Sequence, residues 1–207
     1  PGGVAGYDAL AEGGFDFVAI TVDADDAGSP STAAAVKAIQ ARWPTLSYAF
    51  LVNGDPGTVA AATLDRLADS YDSPAWLRLK GKPLIYTFGE LRPSGDERFT
   101  FIDINNDLSG DQYWIADPPN IKYGLMTLVP AYQGRGTVID PGRTGEALDR
   151  QTAFARNNRD RAVLVLWHSW NNRSDGSAII PHEASGSTGP VDVYERVKTF
   201  NAEWKRP

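Results

Sequence analysis

The sequence predicts an α/β fold: a (β/α)8 TIM-type barrel that lacks its first strand. Three observations carry this expectation. Short apolar runs alternate with helical patterns along most of the 207 residues, the signature of repeated βα units. Residues 162–167 (AVLVLW) are apolar without alternation, which is how a parallel strand covered on both faces reads. Residues 7–12 read as the tail of a helix, so the apolar run that follows takes the place of a second strand and not a first. An open parallel α/β sheet is the alternative that uses the same elements. With 42% hydrophobic residues the chain can bury a sizeable core, and it is expected to form a single domain over residues 1–207, incomplete at its N-terminus.

The elements follow in order. Residues 15–23 (FDFVAITVD) are the first apolar run. Ser31 is placed to cap a helix through Trp43, with Val36, Ile39 and Trp43 facing inward and Pro44 closing it. A strand is predicted over 46–53. Asp55 before Pro56 joins an N-cap residue to a proline at the first helical position, and Ala60, Leu64, Leu67, Ala68 and Tyr71 share one face of that helix. Residues 82–90 (KPLIYTFGE) and 99–107 (FTFIDINND) read as the third and fourth strands, and 112–117 (QYWIAD) as a shorter fifth ended by Pro118 and Pro119. Residues 125–132 (LMTLVPAY) form a sixth, restricted by Pro130. A loop rich in Gly and Arg over 133–143 leads to a helix over about 145–157, and 162–170 is the seventh strand. The last helix starts near Pro190 and puts Val193, Val197, Phe200 and Trp204 on one stripe that packs back onto the sheet. A barrel without its first strand exposes two edges, which another chain or an N-terminal segment is expected to cover.

Composition narrows the function. The absence of cysteine excludes a disulfide framework, a thiolate metal site and a thiol nucleophile. A net charge of −6 and a pI near 4.9 argue against a nucleic-acid partner, whose phosphates call for Lys and Arg clusters. No apolar run reaches the about 18 residues of a membrane span. His168 and His182 lack the spacing of a zinc site and are read as hydrogen-bonding groups. Asp23-x-Asp25 and Asp103-x-Asn105-x-Asp107 echo calcium loops without the Glu at the twelfth position, so neither a metal nor a cofactor is expected.

Chemistry in α/β folds sits at the carboxyl ends of the strands. There, after the last strand, stand Trp170, Asn171, Asn172, Arg173 and Asp175. Ser169, Trp170 and Asn171, followed by Gly176, Ser177, Ala178, Ile179, Ile180 and Pro181, resemble the S-W-N-E-W-x-E-G-T-x-I-E-P motif on the last barrel strand of the glycoside hydrolase family 99-like group. That group includes endo-α-mannosidases and related proteins of polysaccharide loci. Residues 14–17 are similar to the G-I-D-G-F that opens its second strand, residues 81–83 to the start of its fourth, and residues 129–135 to the V-x-P-G-Y/F-D-x-R of its seventh. The resemblance spans most of the chain, and the last motif is the specific one. It implies a glycosidase-like barrel acting on an oligosaccharide or polysaccharide, in an extracellular or cell-surface setting. In the family the first Glu of the motif assists the substrate's own hydroxyl as base and the second is the general acid. The corresponding residues here are Asn172 and Asp175, and Ile180 replaces the Glu of I-E-P. Asn cannot take up a proton at neutral pH, whereas Asp keeps a carboxyl on a shorter side chain.

Read from the residues themselves, glycoside hydrolysis needs two carboxyl groups about 5 to 10 Å apart. Asp175 is one candidate, with Glu90 and Asp103, at the ends of other strands, as candidate partners ahead of Asp23, Asp25, Asp107 and Asp117, and the resemblance implies the acid's role for Asp175. Sugars stack on aromatic rings while polar groups bind their hydroxyls, which makes Trp170, Tyr132, Tyr86, His168, Asn171 and Asn172 the expected substrate-binding set. Trp167, inside the apolar run, is expected in the core. Two functions fit: a glycosidase, favoured by Asp175, Trp170 and Asn171 and taken as the first reading, or a catalytically inactive glycan-binding or structural domain of a larger surface assembly, favoured by Asn172 and the absent first strand.

Overall fold

A computed structural model describes residues 5–23, 27–53, 61–87, 96–104, 115–122, 124–134, 136–170, 177–179 and 193–205. They fall into two compact units, one within residues 15–111 and one within residues 1–14 and 112–207. Helix α1 (Ala5–Glu12) opens the chain and belongs to the second of these.

In the unit of residues 15–111, strands β1 (Phe17–Asp23) and β2 (Ser47–Asn53) pair in parallel; short β3 (Arg78–Leu79) runs antiparallel to the start of β4 (Lys82–Thr87), and β5 (Thr100–Asp103) is parallel to β4. β4 also pairs in parallel with β2, so the parallel strands lie in the order β1-β2-β4-β5. Side chains alternate across a strand, and the register therefore sorts them into two faces. Tyr48, Phe50, Val52, Ile85 and Thr87 share one face. It is covered from helix α3 (Ala61–Tyr71), whose Tyr71 ring lies 5.3 Å from Phe50. Ala49, Leu51 and Asn53 share the other face with Thr21, Asp23 and Tyr86.

Trp76 locks the amino ends of β2 and β4 together. Its segment bonds to both strands, through Leu77 N–H to the Tyr48 carbonyl and Leu84 N–H to the Leu77 carbonyl. Its indole N–H reaches the Leu84 carbonyl at 2.9 Å, and its ring meets Phe50 edge-on at 4.9 Å. At 1% exposure this is the largest fully buried side chain of the described core, and aromatic burial of this kind contributes several kcal/mol.

Helix α2 (Pro30–Arg42) is capped by Ser29, not Ser31: the Ser29 hydroxyl accepts from the Thr32 N–H at 3.2 Å. The cap sits two residues earlier than the sequence reading because Pro30, lacking an N–H, fits the first helical position. Val36 and Ile39 are buried as the stripe requires. The described part of α3 starts at Ala61 and buries Leu64, Leu67 and Tyr71, while Asp55, Pro56 and Ala60 lie outside the described residues.

The second unit holds β6 (Ile121–Lys122), β7 (Leu125–Leu128), β8 (Tyr132–Gly134), β9 (Thr137–Ile139), α4 (Glu146–Asn157), β10 (Leu164–Trp167) and α5 (Val193–Trp204). β10 runs parallel to β7, and β6 turns back antiparallel to β7 through Gly124 at φ 78°. Met126, Leu128, Ala155 and Phe200 form its core, with Phe154, Val165, Trp167 and Trp204 packed against it. The α5 stripe is buried as predicted at Val193, Val197 and Phe200.

Four expectations are corrected in this unit. Residues 115–117 of the expected fifth strand are not a strand and end in a cis Asp117–Pro118 bond, while 112–114 lie outside the described residues. The sixth strand stops at Leu128, ahead of Pro130. The expected loop over 133–143 holds most of a β hairpin, β8 against β9. The seventh strand is only half-buried along its length, because among the described residues it pairs on one edge, with β7. No described pairing joins the sheets into a closed ring.

Candidate functional site

The carboxyl end of β10 is held in place almost entirely by backbone bonds. His168 N–H donates to the Leu128 carbonyl at 2.9 Å, extending the parallel ladder one residue past the strand. A cis peptide bond joins His168 to Ser169. Ser169 then pairs with the segment 177–179: its N–H donates to the Ser177 carbonyl (3.2 Å), the two hydroxyls lie 2.9 Å apart, and the Ile179 N–H bonds to the Ser169 and Trp170 carbonyls at 3.0 and 3.1 Å. Arg143, at φ 51°, donates from Nη2 to the Ala178 carbonyl at 2.8 Å. Burial lowers the pKa of this guanidinium against the opposing pull of Asp140. The Gly- and Arg-rich segment, expected as a loop, thus supplies a brace for the strand end.

At the end of β7, Gln151 from α4 reaches Val129 with both halves of its amide. Its Oε1 accepts from the Val129 N–H at 2.6 Å and its Nε2 donates to the Val129 carbonyl at 3.0 Å. With Gln151 fully buried, the clamp satisfies a backbone unit that no neighbouring strand serves among the described residues. It leads the chain through Pro130 to Tyr132, whose ring lies 6.1 Å from that of His168 at 55°. Trp170, two residues beyond His168, is half-buried and meets Tyr194 of α5 edge-on at 6.2 Å.

Of the expected binding set, His168 and Trp170 therefore lie just past the end of β10, and Tyr132, at the start of β8, lies against His168. Tyr86 lies in the other unit, near the end of β4, fully buried. Its phenol has no hydrogen-bond partner among the described residues, and burial pushes its pKa well above the usual range. Asp103 ends β5, opposite Thr87 in the register. Asp175, Glu90, Asn171 and Asn172 lie outside the described residues, as do Trp114 and His182. Of the secondary carboxylates, Asp23 accepts from Asn53 Nδ2 at 3.0 Å across β1 and β2, and Asp117 accepts from Arg150 Nη2 at 2.5 Å. Trp167 packs edge-on against Phe200 at 5.5 Å, the core position expected for it. Among the described residues no three His, Asp or Glu side chains gather as a metal would need, and no helix is long and apolar enough to cross a membrane.

Sequence reasoning missed Gln151, Tyr194 and Asn201 as supports of this region. The signal for Gln151 is a polar residue on the buried stripe of α4, between Leu148 and Ala155. Asn201 gives the same signal on α5, between Val197 and Trp204.

Two solved structures are similar to the chain over nearly its whole length. One is the GH99 endo-alpha-mannosidase from Bacteroides thetaiotaomicron, with a TM-score of 0.72 at 14% identity, covering 98% of this chain and 79% of that one. The other is the GH99 endo-alpha-mannosidase of that organism in complex with bis-tris-propane, with a TM-score of 0.72 at 14% identity and coverage of 98% and 83%. No protein-family model and no curated protein sequence matches the chain. At this identity the likeness speaks for architecture and not for chemistry. The chain shares its α/β fold with these enzymes.

Proposed function

We propose that the chain is a glycosidase-like barrel domain that takes an oligosaccharide or polysaccharide into a cleft at the carboxyl ends of its parallel strands. The observation that carries this reading is the placing of His168 and the half-buried Trp170 just past the end of β10, with the buried Tyr132 ring 6.1 Å from His168, where a ring and an imidazole suit a sugar. The shared fold with endo-alpha-mannosidases supports it and makes α-mannan the first glycan to try. In this reading Asp175 is the general acid and Glu90 or Asp103 supplies the second carboxyl, while Asn171 and Asn172 bind hydroxyls; Tyr86, fully buried, takes no part. The setting in this reading is extracellular or at the cell surface.

The test is release of reducing sugar from α-mannan by the wild type and by Asp175→Ala. Turnover by the wild type that falls about a hundredfold or more in the variant is the expected result, given what general acid catalysis supplies. Equal turnover in both would remove Asp175 from catalysis.

Asn172 favours a second reading, a catalytically inactive glycan-binding or structural domain, because it stands where the family motif carries its catalytic base. That reading expects α-mannan to be bound by the wild type with no reducing sugar released.

A further inference from the structure

Helix α5 carries two polar side chains that reach from α1 to the two tryptophans on either side of His168 and Ser169. Tyr194 donates its phenol to the Ala9 carbonyl at 2.8 Å and sets its ring against Trp170 at 67°. Two helical turns further along the same face, Asn201 donates from Nδ2 to the Gly13 carbonyl at 2.9 Å and accepts the Trp167 indole N–H at 3.1 Å. Both are buried, at 6% and 8% exposure, so neither contact is a loose surface encounter. The paired arrangement gives each tryptophan its own tether, and each tether runs on to a backbone carbonyl at the end of another helix. Trp167 has a core neighbour in Phe200 as well. Trp170 lies past the end of the strand, where the ladder of β7 and β10 has stopped.

We propose that Tyr194 is a positioning residue for Trp170: its ring sets the tilt of the indole, and its hydroxyl pins that ring to α1. Asn201 does the same for Trp167. The role given to Trp170 rests on the glycan-binding reading, but where its ring is held does not. A platform fixed before its ligand arrives loses less freedom on binding, so the brace acts on affinity through Trp170 without touching the sugar.

The experiment labels the full chain with 5-fluorotryptophan and assigns the Trp170 and Trp167 fluorine resonances with Trp170→Phe and Trp167→Phe. It follows both resonances together with retardation in gels containing soluble α-mannan. Tyr194→Phe keeps the ring but removes its bond to the Ala9 carbonyl, and is expected to displace the Trp170 resonance by less than Tyr194→Leu does. Tyr194→Leu is expected to displace and broaden the Trp170 resonance while sparing Trp167, and to weaken α-mannan binding about five- to tenfold, the worth of one aromatic pair. Asn201→Leu is expected to move the Trp167 resonance. If Tyr194→Leu fails to fold, Tyr194→Met, of similar bulk and without a ring, is read the same way. A Trp170 resonance that stays put when the Tyr194 ring is removed would overturn the proposal. If the wild type does not bind α-mannan, or Trp170→Ala binds it equally well, while the Trp170 resonance still moves in Tyr194→Leu, the glycan reading falls and the positioning role stands.

Discussion

Asp140 sits at φ 40°, a backbone region that non-glycine residues rarely adopt, and its carboxylate closes the open end of α4. Oδ1 accepts from the Thr144 N–H at 2.8 Å and the Thr144 hydroxyl at 2.9 Å, and Oδ2 from the Gly145 N–H at 2.7 Å. Gly145, at the N-cap position, offers no side chain, so the cap is supplied from five residues upstream. Burial raises the pKa of this carboxyl, but the bonds from Thr144, Gly145 and Ala147 outweigh it and hold the value below the usual aspartate range. A depressed folded-state pKa means that this stabilisation is fully present above about pH 4, where the unfolded aspartate ionises. It is lost as pH falls through the lower folded value. Asp140→Asn is expected to lower stability by about 1 kcal/mol at neutral pH and to flatten the acid limb of the stability curve, as urea unfolding at pH 7 and pH 3 would show. The cap was illegible in the sequence because Asp140 lies outside the spacing at which an N-cap residue normally serves its helix.

At the scale of the element, the clamp of Gln151 on Val129 explains why the expected sixth strand is two pieces. A strand that loses its neighbour must satisfy its backbone elsewhere, and here a helix side chain takes the part of the missing strand. Gln151→Leu keeps the bulk but strands a buried N–H and a buried carbonyl, and is expected to cost about 2–4 kcal/mol. Guanidinium unfolding that shows a lower midpoint with an unchanged slope would establish it. Most strands and helices were readable from period and punctuation alone, as β1, β2, α2 and α5 show. The β8–β9 hairpin was not, because three residues on each side of a Gly-flanked turn are too few to display alternation. β10 misled in another way. Its apolar run records a preference for burial, whereas its half-buried state records how many neighbours it has, and composition speaks only to the first.

At the scale of the whole molecule, the repeated βα pattern made an α/β fold legible, and the likeness to endo-alpha-mannosidase structures bears out that much, while the described strands do not close into a barrel. Catalysis was not legible in the same way, because fold does not carry function and positions 172 and 175 lie outside the described residues. On the proposed reading of an inactive glycan-binding domain, Asn172 stands where the resembled family motif carries its base, and a carboxylate put there is expected to supply that base. Asn172→Glu is then expected to raise release of reducing sugar from α-mannan about a hundredfold or more over the wild type, the range a positioned acid or base contributes. Asp175→Ala added to that variant should remove the gain, since a base placed at 172 would still need the proposed acid, and residues that act as a unit are not additive. A variant that binds α-mannan yet releases no more sugar than the wild type would place the loss of activity beyond a single side chain and leave the chain a glycan-binding relative of an enzyme fold.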